Sequence, residues 1–319
     1  MRVAFIGAGK MASDLMACVD EYDGATITAV CDVDRESSEA AAKPRDAVVF
    51  TDHETLFENH DFDVVFLAIP PFAYTNQATL AADRGIHTFV EKPVALHPDD
   101  APEVQDALET ANIVTGSGYV FRYDLITERA RELIGDRDIA LVDAKYWGGL
   151  PGSEWGYRME SSGGDVNIRT THVLDTMRYI CGDVERVSAA GSHTVDTPEV
   201  DYPDAVAATL EHKTGVVGTV SSTVVGTQWA VDFDIVGDCF QLHLDYATQT
   251  LSGSVDGEKI DFDGTCDRYA REIHAFLDAC KAENQDSFRS SYADAVRTLD
   301  LNWAVIDAAN SGDRVVLND

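Results

Sequence analysis

Two short motifs carry residue types and spacings that could do chemistry. The strand Val3-Ala4-Phe5-Ile6 runs directly into Gly7-Ala8-Gly9-Lys10-Met11-Ala12, a G-x-G-x-x-A turn that opens a helix. Glu91-Lys92-Pro93 follows a second apolar strand, Thr88-Phe89-Val90. The first pattern suits a dinucleotide. Gly7 permits the tight turn, Gly9 lets the backbone approach a pyrophosphate, and Ala12 keeps helix and strand close. The free N–H groups at Lys10 and Met11 and the helix dipole then favour phosphate. Asp32 ends the run Ile27-Thr28-Ala29-Val30-Cys31, where a carboxylate can accept hydrogen bonds from ribose hydroxyls and would repel a 2′-phosphate. That favours NAD. Arg35 could swing onto a phosphate, so NADP stays open. Ala68 and Pro70, in the loop after the fourth strand, lie where this fold meets its ligands, and Glu91 ends the fifth strand on the same side.

Lys92 stands at that ligand-facing strand end. Its ammonium can hydrogen-bond a substrate hydroxyl, or it can lose its proton and act as a base. Partial burial and a positively charged nicotinamide would both lower a lysine pKa, which tunes it for proton transfer near neutral pH. Pro93 fixes the backbone behind it, with a cis bond open to it. A second cluster runs from Gly163-Gly164-Asp165 to Thr171-His172-Val173-Leu174-Asp175. Val173, Met177, Ile180 and Cys181 form an apolar helical stripe. His172 and Asp175 sit off that stripe, three residues apart. His172 could relay a proton or hold a hydroxyl, or serve only the helix. Asp165 reads as a helix cap. Trp147, Trp155, Tyr157 and Arg158 lie in or beside a Gly-rich loop, a composition that suits a sugar face and equally suits packing.

The elements that must position these residues are legible as patterns. Apolar runs at 3–6, 26–31, 47–50, 63–69, 86–90 and 113–115 alternate with helical segments, which implies a doubly wound parallel sheet. After a helix near 122–135 and a strand near 139–147, a helix over 166–181 is followed by strand-like runs at 184–194, 204–212, 215–225, 229–237, 239–245 and 248–252. Strand after strand without helices implies a large, mostly antiparallel sheet. Helices near 267–282 and 290–310 close the chain. The expected division is 1–120 for dinucleotide binding and 121–319 for an α+β domain.

Composition excludes several function classes. Asp and Glu number 56 against 24 Lys and Arg, for a net charge of −32. The acid is spread along the chain, as on a surface tuned for high salt. Without a basic stripe there is no case for nucleic acid. No apolar run approaches membrane-spanning length, and the expected location is cytoplasmic. The six cysteines form no C-x-x-C and pair with no His at ligand spacing, so no metal is expected.

Taken together, the GAGKMA turn, VEKP, GYVFRY at 118–123, the 163–184 stretch and the closing SGDRVVL resemble the Gfo/Idh/MocA family of NAD(P)-dependent sugar and polyol oxidoreductases. The resemblance implies a Rossmann domain plus an α/β domain whose open sheet often mediates oligomers, with a homodimer or homotetramer expected. It implies that Lys92 and His172 line the site where hydride passes between nicotinamide and a carbohydrate-like substrate. It also places Arg122 and Tyr123 near that substrate; the aromatic loop adds Trp155, and the helix face shared with His172 adds Asp175, as further expected contacts. Three positions depart from the family. Ile168 stands where many members carry an Asp, Ile69 replaces the Thr of a common Thr-Pro, and Tyr74 stands where a histidine is frequent. Two rival readings stand beside this one: a sensor that binds NAD(P) without turnover, motivated by Ile168, and a redox-neutral enzyme that processes glycosides with bound NAD.

Overall fold

The structure, a computed structural model, describes residues 1–195 and 199–317. It divides into two units. The first comprises Met1–Gly118 with Tyr269–Val296, and the second comprises Tyr119–Arg268 with Arg297 onward.

The first unit holds a parallel sheet of six strands: β1 (Arg2–Ile6), β2 (Thr26–Cys31), β3 (Val48–Phe50), β4 (Val64–Leu67), β5 (His87–Val90) and β6 (Thr115–Ser117), in the order β3-β2-β1-β4-β5-β6. Helices α1 (Lys10–Asp20), α2 (Arg35–Ala42), α3 (His53–Asn59), α4 (Gln77–Asp83) and α5 (Pro102–Thr110) make the crossovers. Val64, Val65, Phe66 and Leu67 are all buried, the continuous apolar run expected of a strand covered on both faces. The order reverses between β1 and β4, so the carboxyl ends of those strands open a crevice.

The 1–120/121–319 division cuts the chain once, whereas a late segment returns to the first unit. Helix α9 (Arg268–Ala282) places Phe276 edge-on to Phe66 and Phe89, at ring distances of 5.6 and 5.2 Å. Phe288 stacks edge-on against Phe276 and Phe89, and Ser117 N–H donates to Ser290 O at 2.9 Å. These aromatic contacts cover one face of the six-stranded sheet.

The second unit is built on a nine-stranded sheet. Its strands are β7 (Ile139–Trp147), β8 (Val184–Ser192), β9 (Ala205–His212), β10 (Val217–Thr223), β11 (Ala230–Gly237), β12 (Phe240–Asp245), β13 (Thr250–Val255), β14 (Glu258–Asp263) and β15 (Val315–Val316), in the order β14-β13-β12-β11-β7-β10-β9-β8-β15. All neighbours are antiparallel except β7 and β10. Helices α6 (Leu125–Ile134) and α8 (Thr171–Cys181) pack on one face, with the short α7 (Met159–Ser162) before α8 and α10 (Tyr292–Ser311) near the chain end. On β11, Val231, Phe233 and Ile235 are buried while Asp232 and Asp234 point the other way, the period-two signature of a sheet covered on one side. The expected fold class, a Rossmann sheet plus a large, mostly antiparallel sheet, is therefore observed.

Candidate active site

In the first unit the turn between β1 and α1 is shaped by its glycines. Gly7 adopts φ +108°, and a Cβ there would lie 2.3 Å from Ala68 O. No other residue fits. Gly9 is the N-cap of α1, and nothing lies within 4 Å of where its Cβ would be, so the backbone is open to a ligand. The first turn of α1 contains no acidic residue, which leaves its N–H groups free of local counter-charge. Ala12 is fully buried against the sheet.

Asp32 braces this turn. Its Oδ2 accepts from Ala8 N–H at 2.7 Å and its Oδ1 from Asp34 N–H at 2.9 Å. Asp34 in turn caps α2, accepting from the Glu36 and Ser37 N–H groups. A cleft of about 450 Å³ runs along the strand ends, lined by Gly7, Gly9, Asp32, Val33, Ala68 and Pro70 among others. The open cradle at Gly9 with a carboxylate at the end of β2 fits a dinucleotide. Lys10 and Met11 sit in the first turn of α1. The Lys10 ammonium is turned to Asp14 at 2.6 Å and is exposed, so its backbone rather than its side chain faces the cradle. Arg35 pairs with Glu39 at 3.1 Å on the exposed side of α2. A pair of that kind contributes under about 1 kcal/mol and does not lock the arginine.

Glu91 and Lys92 follow β5 on the same edge of the sheet as the glycine turn. Glu91 is buried, and its Oε2 accepts from Lys92 N–H at 3.0 Å. Burial pushes its carboxyl up to about 7, against a smaller opposing pull from the Lys92 charge. Gly118 makes room for it, since a Cβ there would lie 2.7 Å from both carboxylate oxygens. Lys92 is half-buried, and the Lys92–Pro93 bond is cis. Tyr74 OH donates to Glu91 O at 2.9 Å.

The second unit places His172 at the start of α8, half-buried, with the Phe121 ring 5.1 Å away and the Tyr119 ring edge-on at 6.2 Å. The segment before it, Val166–Thr170, is a π-helical turn. Such turns recur at functional sites. Ile168 is buried, with its Cδ1 3.3 Å from where a Cβ on Gly156 would be. It therefore packs beneath the loop that carries Trp155, which is itself half-buried in a 3₁₀ turn over Glu154–Tyr157.

Three of the expected substrate contacts, Arg122, Tyr123 and Asp175, lie in the interior. Arg122 Nη2 and Nε donate to Asp175 Oδ1 and Oδ2 at 2.6 and 2.8 Å, and the side chains are 4 % and 1 % exposed. Thr298 Oγ1 adds a bond to Asp175 Oδ1 at 2.9 Å. Both carboxylate oxygens are engaged in the interior, and this pair holds α8 to the chain before α6. Tyr123 is likewise buried. Asp165 is no cap: it accepts from Ser222 Oγ at 2.6 Å and pairs with Arg169, whose Nη1 donates to Gly149 O at 2.6 Å. Sequence reasoning missed this tie between helix and loop. It also missed the Tyr74 bond, because neither has a local spacing signal. Among the described residues, Asp232, Asp234 and His243 offer ligand atoms within 4.8 Å of one another. His243 Nδ1 lies 3.0 Å from Asp234, and Lys145 Nζ lies 2.9 Å from Asp232, so these groups partner one another and Lys145 on one face of the nine-stranded sheet. No described helix is long and apolar enough to cross a membrane.

Comparison with known proteins agrees with this architecture. Residues 1–119 match the model of the GFO/IDH/MocA oxidoreductase family with its NAD-binding Rossmann fold, and residues 128–241 match the GFO/IDH/MocA C-terminal domain. A D-xylose 1-dehydrogenase (NADP(+)) of Haloferax volcanii is 27% identical over 284 residues, 83% of this chain and 84% of that protein. A 2,7-anhydro-N-acetylneuraminate hydratase of Mediterraneibacter gnavus is 28% identical over 203 residues, 61% of this chain and about half (54%) of the hydratase. In fold, the chain matches an oxidoreductase from Agrobacterium radiobacter solved with NAD+, L-tartaric acid and magnesium, at a TM-score of 0.90 and 19% identity over 99% of this chain and 98% of that one. The chain belongs to the GFO/IDH/MocA family of oxidoreductases.

Proposed function

We propose that this protein is an NAD-dependent dehydrogenase acting on a hydroxyl or keto carbon of a sugar, polyol or sugar derivative. The observation that carries the reading is the pairing, on one sheet edge, of an open glycine cradle braced by Asp32 with a half-buried Lys92. When bound, the dinucleotide supplies a nicotinamide that takes up or gives a hydride. The backbone at Gly7, Gly9, Lys10 and Met11 binds its phosphates, Asp32 orients the ribose, Ala68 and Pro70 wall the cleft, and Glu91 meets the cofactor from the end of β5. Lys92 Nζ takes the proton of the substrate hydroxyl in oxidation and returns it in reduction. His172 is the second proton-handling group, and Trp155 offers a sugar face. The xylose dehydrogenase relative supports a carbohydrate substrate and keeps NADP as an alternative cofactor. Asp32 and the Asp34 charge beside it favour NAD.

One observation favours a second reading. Ile168 is buried under a loop where a carboxylate would serve proton transfer, and Asp175 is spent on Arg122. With the hydratase relative, this supports a redox-neutral reaction with retained NAD. Formation of reduced nicotinamide, followed by absorbance with NAD or NADP over a panel of aldoses, inositols, sugar acids and sugar phosphates in concentrated KCl, decides between the two. Net reduction with one compound class supports the dehydrogenase. Product without net reduction supports the second reading, and dinucleotide binding with neither would leave a sensor.

The remaining assignments are proposals on the same footing. The charge of −32 suits concentrated salt. Six free thiols suit the reducing cytoplasm. Leu141, Trp147 and Val217, exposed on the uncovered face of the nine-stranded sheet, suit a homodimer or homotetramer built across that face. Light scattering of a Trp147→Glu variant checks the last.

A further inference from the structure

We propose that Tyr74 is a positioning residue for Lys92, acting through the peptide group that precedes the lysine. The proposal rests on the reading of Lys92 as the proton-handling group. Tyr74 lies in the loop between β4 and α4, the loop that also walls the dinucleotide cleft through Ala68, Pro70 and Ala73. Its hydroxyl donates to the carbonyl oxygen of Glu91 at 2.9 Å, 17 residues along the chain. The N–H of the same peptide plane, that of Lys92, donates to Glu91 Oε2 at 3.0 Å. The plane is therefore held at both poles. It cannot swing about the neighbouring dihedrals without breaking one of the two bonds.

Three further constraints converge on it. Glu91 N–H donates to Leu67 O at 2.9 Å, which extends the β4–β5 ladder to the edge of the plane. Gly118 leaves the Glu91 carboxylate the space it needs to reach back to Lys92 N–H. Pro93 fixes φ on the far side of the lysine. The Cα–Cβ direction of Lys92 is thus set by its two neighbouring peptides, and Tyr74 brings a side chain from outside the motif onto the first of them. The phenol keeps its proton across the working range: burial and the nearby Glu91 and Tyr292 groups push it well above its ordinary value. Its hydroxyl is therefore a fixed donor. A catalytic amine must stay within about 0.5 Å of its productive place, and a 1 Å displacement costs about 100-fold in rate. A bond between the cofactor-side loop and the lysine-bearing peptide supplies that constraint.

Tyr74→Phe removes one oxygen and keeps the ring. Dinucleotide binding, read by fluorescence quenching, is expected to stay within about two-fold. On a substrate that the wild type turns over, kcat is expected to fall about ten-fold with KM little changed, and the pH profile of kcat should shift on the limb that Lys92→Arg abolishes. A readout independent of turnover comes from isotope-labelled lysine. The chain has seven lysines, so the Lys92 side-chain signal, assigned with Lys92→Arg, can be titrated by NMR. Tyr74→Phe should move its midpoint and broaden it while the other six stay in place. An unmoved Lys92 titration overturns the proposal, whether or not a substrate is in hand. A moved titration in a protein that reduces no nicotinamide would support the positioning role and overturn the dehydrogenase reading separately.

Discussion

Asp175→Asn should cost the fold about 3–5 kcal/mol, the loss expected when one partner of a buried ion pair is removed and the other charge stays behind. The structure sets the size of the effect. Arg122 and Asp175 meet bidentately at 2.6 and 2.8 Å with almost no exposure, and Thr298 donates to the same carboxylate. Two unit charges about 4 Å apart attract by roughly 4 kcal/mol at an effective dielectric near 20. Asparagine keeps the shape but neither the charge nor the second acceptor. Its amide would point at an arginine that also sits over the Tyr179 ring, 4.8 Å from the guanidinium carbon. Urea unfolding in concentrated KCl, followed by tryptophan fluorescence, measures the loss as a fall in midpoint at constant slope. Arg122→Met/Asp175→Leu removes both charges and should recover most of it, because a well-packed apolar pair replaces a buried ion pair at little cost. Single variants as stable as the wild type, with a raised KM for a sugar, would refute the reasoning and return both residues to the substrate.

Other expectations follow from the same geometry. Glu91 has a carboxyl near 7 in the fold against an ordinary 4.5. It therefore contributes no penalty below about 4.5, a growing one as pH rises and on the order of 3 kcal/mol above about 7. Glu91→Gln should lose that dependence, read as a flatter difference in unfolding free energy between pH 5 and pH 8; parallel curves for the two proteins would contradict it. Gly7→Ala places a Cβ 2.3 Å from Ala68 O at a positive φ, and should reduce dinucleotide affinity by at least about ten-fold by fluorescence titration. Asp32→Ser removes the charge that repels a 2′-phosphate and should shift the NAD/NADP preference toward NADP by about ten-fold or more. It should also loosen the turn, because the charge-assisted bond from Ala8 N–H is replaced by a longer, weaker one to a neutral hydroxyl or lost.

Much of the framework was legible because it is local. The buried runs of β1, β2 and β4 and the full span of β7 follow from apolar period and turn signals. The Gly7–Ala12 turn, Asp32 and Lys92 are local too, each readable from its place after a strand. Other features depend on partners distant in sequence. Glu258–Asp263 carries four charges in six residues and gives no strand signal, yet it pairs along its full length with β13 at the edge of the large sheet. Strand β6 covers Thr115–Ser117 instead of the more apolar 113–115, because its register is set by pairing with Thr88–Val90. Nothing within α9 states which sheet Phe276 will cover. At the site, Arg122 and Asp175 are 53 residues apart. The resemblance puts Arg122 near a substrate and helix spacing puts Asp175 beside His172, but no local signal tells that the two meet in the interior.

The most direct test of the central claim is steady-state reduction of NAD by the wild type and by Lys92→Met, side by side, with the substrate class found in the carbohydrate panel and with dinucleotide binding measured in the same samples. The account predicts turnover in the wild type and a loss of at least about 100-fold in kcat for Lys92→Met, with NAD still bound. Undiminished turnover in Lys92→Met would contradict it.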